Sequence, residues 1–264
     1  MDMLILRLRG PLMAFGDVAI DELRPTDVLP TLSQITGLIA NALGWTYQDT
    51  AQLQRLQDRL SIASRQDRPG APLRDYQTVH LNSNDMMWRS DGFPSLREGG
   101  SSGDFTVQRY RHYRTDSAVT VLVALRESNE QPTLQDIRTA LQHPARPLFI
   151  GRVSCPPAQP ICREPDGNEI VQFASLKEGI QKVPARADLP GCPSNEQPVL
   201  AEWPLTPEQA EGITGEEKTH IVERFDSRRW TSNVHGVRRL VYRTEILLSL
   251  RKEAAENAFE HDQH

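Results

Sequence analysis

The chain opens on an alternating run, Leu4-Ile5-Leu6-Arg7-Leu8-Arg9, in which Leu4, Leu6 and Leu8 share one face of a predicted strand. Ile35, Leu38, Ile39, Ala42 and Leu43 then recur at helical spacing and stop at Gly44. Thr31 or Ser33 can cap that helix at its start, and Gly44 can close it. A second helix is predicted from Ala51 to about Ala63, burying Leu53, Leu56 and Leu60, with Asp49 or Thr50 at its start. From Arg74 to Thr115 the pattern changes to short β-like pieces around a polar, glycine-rich middle, Asp91 to Gly103. Two antiparallel strands joined by a long flexible tip are the simplest reading. Ala118 to Leu125 is apolar on both faces, as a central sheet strand should be. Thr133 to Leu141 reads as a short capped helix and Pro147 to Gly151 as a closing strand.

The resulting order, β-α-hairpin-β-α-β, predicts an α+β fold: a ferredoxin-like (RRM-like) domain over residues 1–155, with an enlarged protruding hairpin at about 74–115. This plan also carries RNA-recognition domains, although fold alone does not give function. Residues 156–264 are proline-rich and predict a smaller, irregular, mostly β region in which prolines keep helices short. Within it we expect a basic strand pair with His235-Gly236 at its turn, and an amphipathic helix from Glu245 that frays into a polar tail.

Composition sharpens the picture in two places. With 38% hydrophobic and 25% charged residues the chain reads as a soluble globular protein, without an apolar run of the roughly 18–20 residues a membrane helix needs. Arg7 and Arg9 interrupt the first apolar run, so it does not read as a secretory signal either, and a cytoplasmic location is expected. Cys155, Cys162 and Cys192 form no C-x-x-C pair, which argues against a disulfide framework or a zinc knuckle and for buried or indifferent thiols. Net charge is −5, yet residues 1–155 hold 17 Arg, no Lys and 17 acids, so the deficit lies in the second part. Ser227 to Thr244 carries Arg228, Arg229, Arg238, Arg239 and Arg243 without one acid, and Phe105 to Thr115 has Arg109, Arg111 and Arg114 unopposed. These read as basic patches on an acidic body. Arginine outnumbers lysine 26 to 4, which suits bidentate grip on phosphate and stacking on bases, though codon bias gives the same ratio.

Three constellations could carry chemistry. Arg109 to Arg114 interleaves cations with Tyr110, His112 and Tyr113, so Arg109, Arg111 and Tyr113 would share one hairpin face suited to single-stranded RNA. The bland alternative is a solvated strand. Arg24 with Thr26, Thr31 and Ser33 sets a cation and hydroxyls beside free helix N-terminal amides, a way to hold phosphate; the bland alternative is that Thr31 and Ser33 merely cap the helix, and both readings can hold together. Arg228, Arg229 and Trp230 with Arg238 and Arg239 mix cations with a ring that could equally be core. The histidines are scattered, no phosphate-binding glycine loop follows a strand, and Asp17, Asp21 and Glu22 read as a solvated acidic loop. No cofactor and no metal is expected. A metal-independent ribonuclease remains open, with His80 or His112 as base beside Tyr47, Tyr76 or an arginine.

The start of the chain also carries a family likeness. Gly10-Pro11-Leu12-Met13-Ala14-Phe15-Gly16, then Arg24-Pro25-Thr26, then Pro30 to Leu38 resemble the CasD-type subunit of type I-E Cascade, within the RAMP superfamily of CRISPR-associated proteins. Leu73 to Val79, Gly151-Arg152 with Ser154-Cys155-Pro156, and Phe225 with Ser227-Arg228 and Trp230 extend the likeness. Residues 157–219 and the tail after Tyr242 show no matching motif. The resemblance implies a non-catalytic subunit of a CRISPR surveillance complex in antiviral defence. Such a subunit binds the 5′ handle of the crRNA, caps the backbone filament and meets the large subunit, with target DNA reached through the assembled complex. It places Arg24, Thr26, Thr31 and Ser33 near the handle, Arg74, Tyr76, Arg109 and Arg111 on the hairpin thumb and its base, and Arg152 at the end of the last sheet strand. Arg228 would join the RNA-binding set. A sister type I-C branch processes pre-crRNA as an endoribonuclease, which is the alternative function, and a pure assembly module with incidental arginines is a third.

Overall fold

The computed structural model describes residues 1–17, 22–81, 86–88, 94–96, 105–185 and 198–247. Its centre is a seven-stranded sheet. The strands and helices, in chain order, are β1 (Asp2–Arg9), α1 (Leu32–Ala42), α2 (Thr50–Arg59), β2 (Leu60–Arg68), β3 (Ala71–Leu81), β4 (Phe105–Thr115), β5 (Ala118–Leu125), α3 (Leu134–Gln142), β6 (Ile170–Gln172), α4 (Leu176–Lys182), β7 (Pro198–Pro204), α5 (Pro207–Gly212), β8 (Ile221–Arg229) and β9 (Val234–Leu247). Across the sheet they run β6-β1-β5-β2-β7-β9-β8, each neighbouring pair antiparallel.

The apolar pattern explains the layering. Leu4, Leu6 and Leu8 of β1 and Val119, Val121 and Val123 of β5 join Ile35 and Ile39 of α1 and Ile137 and Leu141 of α3 in one core. Met3, Ile5, Leu122 and Ala124 point the other way, onto Leu176 and Ile180 of α4 and Trp203 of β7. Covering both faces is why β5 is apolar throughout, since alternate residues enter different cores. Thr31 caps α1 through its side chain, which accepts from the Gln34 amide, and Gly44 follows its end at φ +83. Thr133 and Asp136 form a capping box on α3.

Five expectations need correction. The second helix ends at Arg59, and Leu60 to Ala63 already belongs to β2; Asp49 precedes it without a side-chain bond to the helix. Arg59 explains the stop, because its buried guanidinium donates to the carbonyls of Arg126, Glu127, Glu130 and Gln131 and fixes the neighbouring loop there. Pro147 to Gly151 forms no strand; the edge position beside β1 is taken by β6. The turn between β8 and β9 is Trp230 to Asn233, with Asn233 at φ +60, and His235-Gly236 lies inside β9. Glu245 to Leu247 is strand, and the remainder of the expected terminal helix lies outside the described residues. The proline-rich region is more regular than expected: β6, β7, β8 and β9 all join the main sheet, with α4, α5 and a 3₁₀ turn at Gly215–His220 between them among the described residues.

Candidate nucleic-acid interface

Strands β3 and β4 pair from Ala71↔Thr115 to Leu81↔Phe105 without a slip, making an 11-residue hairpin arm off the main sheet. Farther out, Met86–Trp88 pairs with Pro94–Leu96; most of the glycine-rich middle lies outside the described residues. Alternation places Arg74, Tyr76 and His80 on one face with Tyr110 and His112 opposite. There Tyr76 and Tyr110 stack with centroids 5.0 Å apart, and the Arg74 guanidinium sits 5.4 Å from the Tyr110 centroid. Tyr76 is 52% exposed, so the ladder's outer ring faces solvent. The other face carries Arg109, Arg111 and Tyr113, as expected, but Tyr113 is buried beneath the Arg152 guanidinium at 4.7 Å. The open rings therefore belong to the face opposite Arg109 and Arg111. Arg111 is exposed, with no hydrogen bond or ion pair among the described residues. Arg109 donates to the neighbouring Gln108 carbonyl.

The base of the arm is assembled by the glycine-bearing motifs. Leu12–Met13 pairs with Arg114–Thr115, and Leu23–Arg24 pairs in parallel with Tyr110–Arg111. Thr26 accepts from the Phe15 amide at 2.7 Å, as Phe15–Gly16 pairs with Thr26–Asp27. Gly151 has φ +91, and a Cβ there would fall 1.6 Å from the Ala14 carbonyl oxygen, so only glycine fits. The next residue, Arg152, donates to the carbonyls of His112 and Arg24. It thus rivets arm to loop from a turn and does not end a strand.

At the start of α1 the sequence suggested free amides. The Leu32 amide instead donates to Asp226 at 3.0 Å, and the Gln34 amide to Thr31. Ser33 is buried, its hydroxyl 3.3 Å from that of Thr31. A protein carboxylate thus sits where a phosphate was expected. Burial opposes ionisation of Asp226, but its bonds to Arg239, the nearby Arg224 charge and the Leu32 amide hold its carboxyl below the usual range. The basic run of β8 and β9 is likewise opposed: Arg239 pairs with Asp226 at 2.6 Å, Arg243 with Glu202 at 2.8 Å and Asp27 at 3.1 Å, and Arg238 with Glu223 at 2.9 Å. Arg224 completes the buried set, bonding Glu202 and Asp27.

Arg228 escapes that network. Its guanidinium lies 4.8 Å from the Trp230 ring centroid, at the mouth of a cleft of about 400 Å³ that also meets Thr31, Ser33, Gly151 and Arg152. Burial lowers the Arg228 pKa, and His235, which faces Arg228 across the β8–β9 pairing, is shifted down by burial and by that neighbouring charge.

The model of the family described as CRISPR-associated protein (Cas5) matches residues 3–242, nearly the whole chain. The chain belongs to the Cas5 family. A relative from Escherichia coli (strain K12), the CRISPR system Cascade subunit CasD, is 31% identical over 166 residues, 60% of this chain and 68% of the relative. Among solved structures, a chain of a CRISPR RNA-guided surveillance complex matches at TM-score 0.61 with 20% identity, covering 93% of this chain and 90% of that one. A Cas protein crystal structure matches at TM-score 0.55 with 22% identity, covering 93% and 94%. At those identities the likeness speaks for a common fold.

In this Cas5 chain the ten residues picked out from sequence fall into three places. Arg74, Tyr76, Arg109 and Arg111 lie on the arm, Arg24 and Thr26 at its base, and Thr31, Ser33, Arg152 and Arg228 around the cleft. Sequence reasoning did not select Tyr110, although its even position among odd-numbered arginines marks it for the opposite face. Nor did it select Gln34 and Gly37, three positions apart on α1, or His235, which joins them only in three dimensions. Of the ribonuclease candidates, His112 lies directly across from Arg74 and on the face that carries Tyr76, while the others lie apart. His80 and His112 share a face six positions apart, roughly 20 Å along an extended strand, and Tyr47 lies in the α1–α2 connection. Cys155 and Cys162 are buried, and burial pushes the Cys162 thiol up to about 12; Cys192 and Asp21 lie outside the described residues. Among the described residues no helix is long and apolar enough to cross a membrane.

Proposed function

We propose that this Cas5-family protein is a non-catalytic RNA-binding subunit of a Cascade-type CRISPR surveillance complex. On this reading it holds the 5′ handle of the crRNA, caps the backbone filament and contacts the large subunit, so that target DNA is reached through guide pairing in the assembled complex. The observation that carries it is the exposed Arg74–Tyr110–Tyr76 ladder on the hairpin arm, backed on the other face by Arg109 and Arg111. Single-stranded RNA offers unstacked bases and a phosphate on every nucleotide, and alternating rings and cations serve both. Family membership and the 31% identical CasD relative support the choice of complex.

Architecture supports the same reading. Strand order β6-β1-β5-β2, with α1 and α2 before β2 and α3 before β6, suits a ferredoxin-like unit, with the β3–β4 arm as its thumb. Residues 1–155 would then be the RNA-binding domain and 156–264 its support. Arg24, Thr26, Arg74, Tyr76, Arg109 and Arg111 would touch RNA directly, Arg228 would do so at the cleft mouth, and Thr31, Ser33 and Arg152 would shape the surface.

The test is gel retardation of end-labelled CRISPR repeat RNA by purified protein in EDTA, read for both binding and cleavage. Retention of intact RNA, weakened in Arg109→Ala/Arg111→Ala, is the expected result. A single specific cut leaving a defined 5′ handle would make the protein a processing endoribonuclease instead.

A further inference from the structure

The cleft between α1 and the β8–β9 turn contains two glycines whose missing side chains no contact among the described residues explains. Gly37 lies within α1, where glycine is less stable than alanine. A Cβ there would meet only the Trp230 ring edge, at an ordinary 3.8 Å. At Gly16 a Cβ would meet nothing within 4 Å among the described residues. Both line the same cleft, and both keep it open.

Its walls are suited to a flat, polar ring. Trp230 is fixed in orientation, because its amide donates to Gln54 Oε1 and its indole Nε1 to Gln57 Oε1, each at 3.2 Å. The Arg228 guanidinium stacks on that indole and Phe149 also lines the cleft. Two wall atoms are buried without a hydrogen-bond partner among the described residues: Arg228 Nε, and Gln34 Oε1, whose amide is held by donation from Nε2 to the Ala14 carbonyl. An orphaned buried donor and acceptor in one cleft cost stability until a polar ligand shifts them into bonds. The volume of about 400 Å³ falls within the usual range for a small-molecule site, roughly 300–1,000 Å³. Arg152 reaches from this cleft to the base of the arm through the His112 and Arg24 carbonyls, so a strand gripped by the arm passes close by.

We propose that this cleft receives one unpaired nucleobase, splayed out of the RNA held by the hairpin arm and stacked against Trp230. The inference rests on the RNA-binding reading above. It adds a place where a single base, not only the phosphate chain, is recognised.

The experiment is a walk of single abasic sites through the repeat-derived RNA, with affinities measured for wild type, Trp230→Ala and Gly37→Leu. Gly37→Leu plugs the cleft while improving helix propensity, so it separates loss of the site from loss of folding. The expected result is one position where losing the base weakens wild-type binding roughly tenfold and leaves both variants unaffected. Ultraviolet crosslinking at that position should map to Trp230 or His235. Salt-dependent binding of RNA with an equal penalty at every position in all three proteins would overturn the cleft and leave the RNA-binding reading standing. Absence of any RNA binding would overturn both. Saturation of the cleft by free nucleoside monophosphates, with no abasic effect, would make it a nucleotide site and also overturn the proposal.

Discussion

The hairpin β3–β4 and the strand pair β8–β9 each carry a cluster of arginines, and in the sequence both read as basic patches. In the hairpin, Arg74 lies over Tyr110 and Arg111 stands exposed, with no carboxylate paired to either among the described residues. In the strand pair, Arg224, Arg239 and Arg243 converge on Glu202, Asp226 and Asp27, all largely shielded from water. The difference lies in what each pair of strands faces. The arm belongs to a separate sheet, with the Tyr76 face open and Tyr113 buried on the other face near the base, whereas β9 runs beside β7, which supplies Glu202, and packs near the loop that supplies Asp27. On the arm even Asp75, directly across from Arg111, accepts from Gln77 and forms no ion pair with that arginine, so the run stays open there. Inside the main sheet a run of arginines is a fastening between distant segments, for which the guanidinium's five donors suit it better than lysine.

The sharpest way to break this comparison is to remove one carboxylate. Glu202→Ala would leave Arg224 and Arg243 with only the less buried Asp27 as a shared partner and should cost about 3–5 kcal/mol in denaturant unfolding, while Arg111→Ala stays within ~0.5 kcal/mol. RNA affinity should rank the other way. Tyr110→Ala should lose roughly 1–3 kcal/mol of RNA binding by titration, and Tyr110→Phe should keep most of it, since stacking rather than the hydroxyl is used.

Acid should also separate the regions. Asp226 has its folded pKa depressed below the unfolded value of about 3.9, so its stabilising contribution is present above that pH and is lost as pH falls through the folded value. Unfolding should become easier below about pH 4, and Asp226→Asn should flatten that acid limb while lowering stability at pH 7. Within the β8–β9 network the smallest effect is expected at Arg238, whose bond to Glu223 is exposed on both sides. Arg238→Ala should change stability by less than about 1 kcal/mol, because such surface pairs are screened by water and salt.

What could be read from sequence follows the range of the interactions involved. The α1 cap at Thr31, the closing Gly44, the α3 cap and the two-faced β5 depend on residues a few positions apart, and they stand as expected. The hairpin was legible because alternation and a glycine-rich middle are local signals. The fates of the α1 amides and of the β8–β9 arginines were not, since Asp226 is 194 residues from Leu32 and Asp27 is 216 from Arg243. The turn at Trp230 to Asn233 was missed because Asn233 supplies the positive φ that His235-Gly236 was expected to supply. The cleft shows the same limit, for Gln34 and Gly37 share a face of α1 but Trp230 and His235 reach them from about 190 residues farther along the chain.

The most direct measurement is the salt dependence of repeat-RNA binding in EDTA, for wild type and for Arg74→Ala/Arg109→Ala/Arg111→Ala. If the arm grips phosphate, the RNA stays intact, and the slope of log affinity against log salt falls by about 0.7 for each cation removed, roughly 2 in total. An unchanged slope, or binding that does not depend on salt at all, would contradict the account.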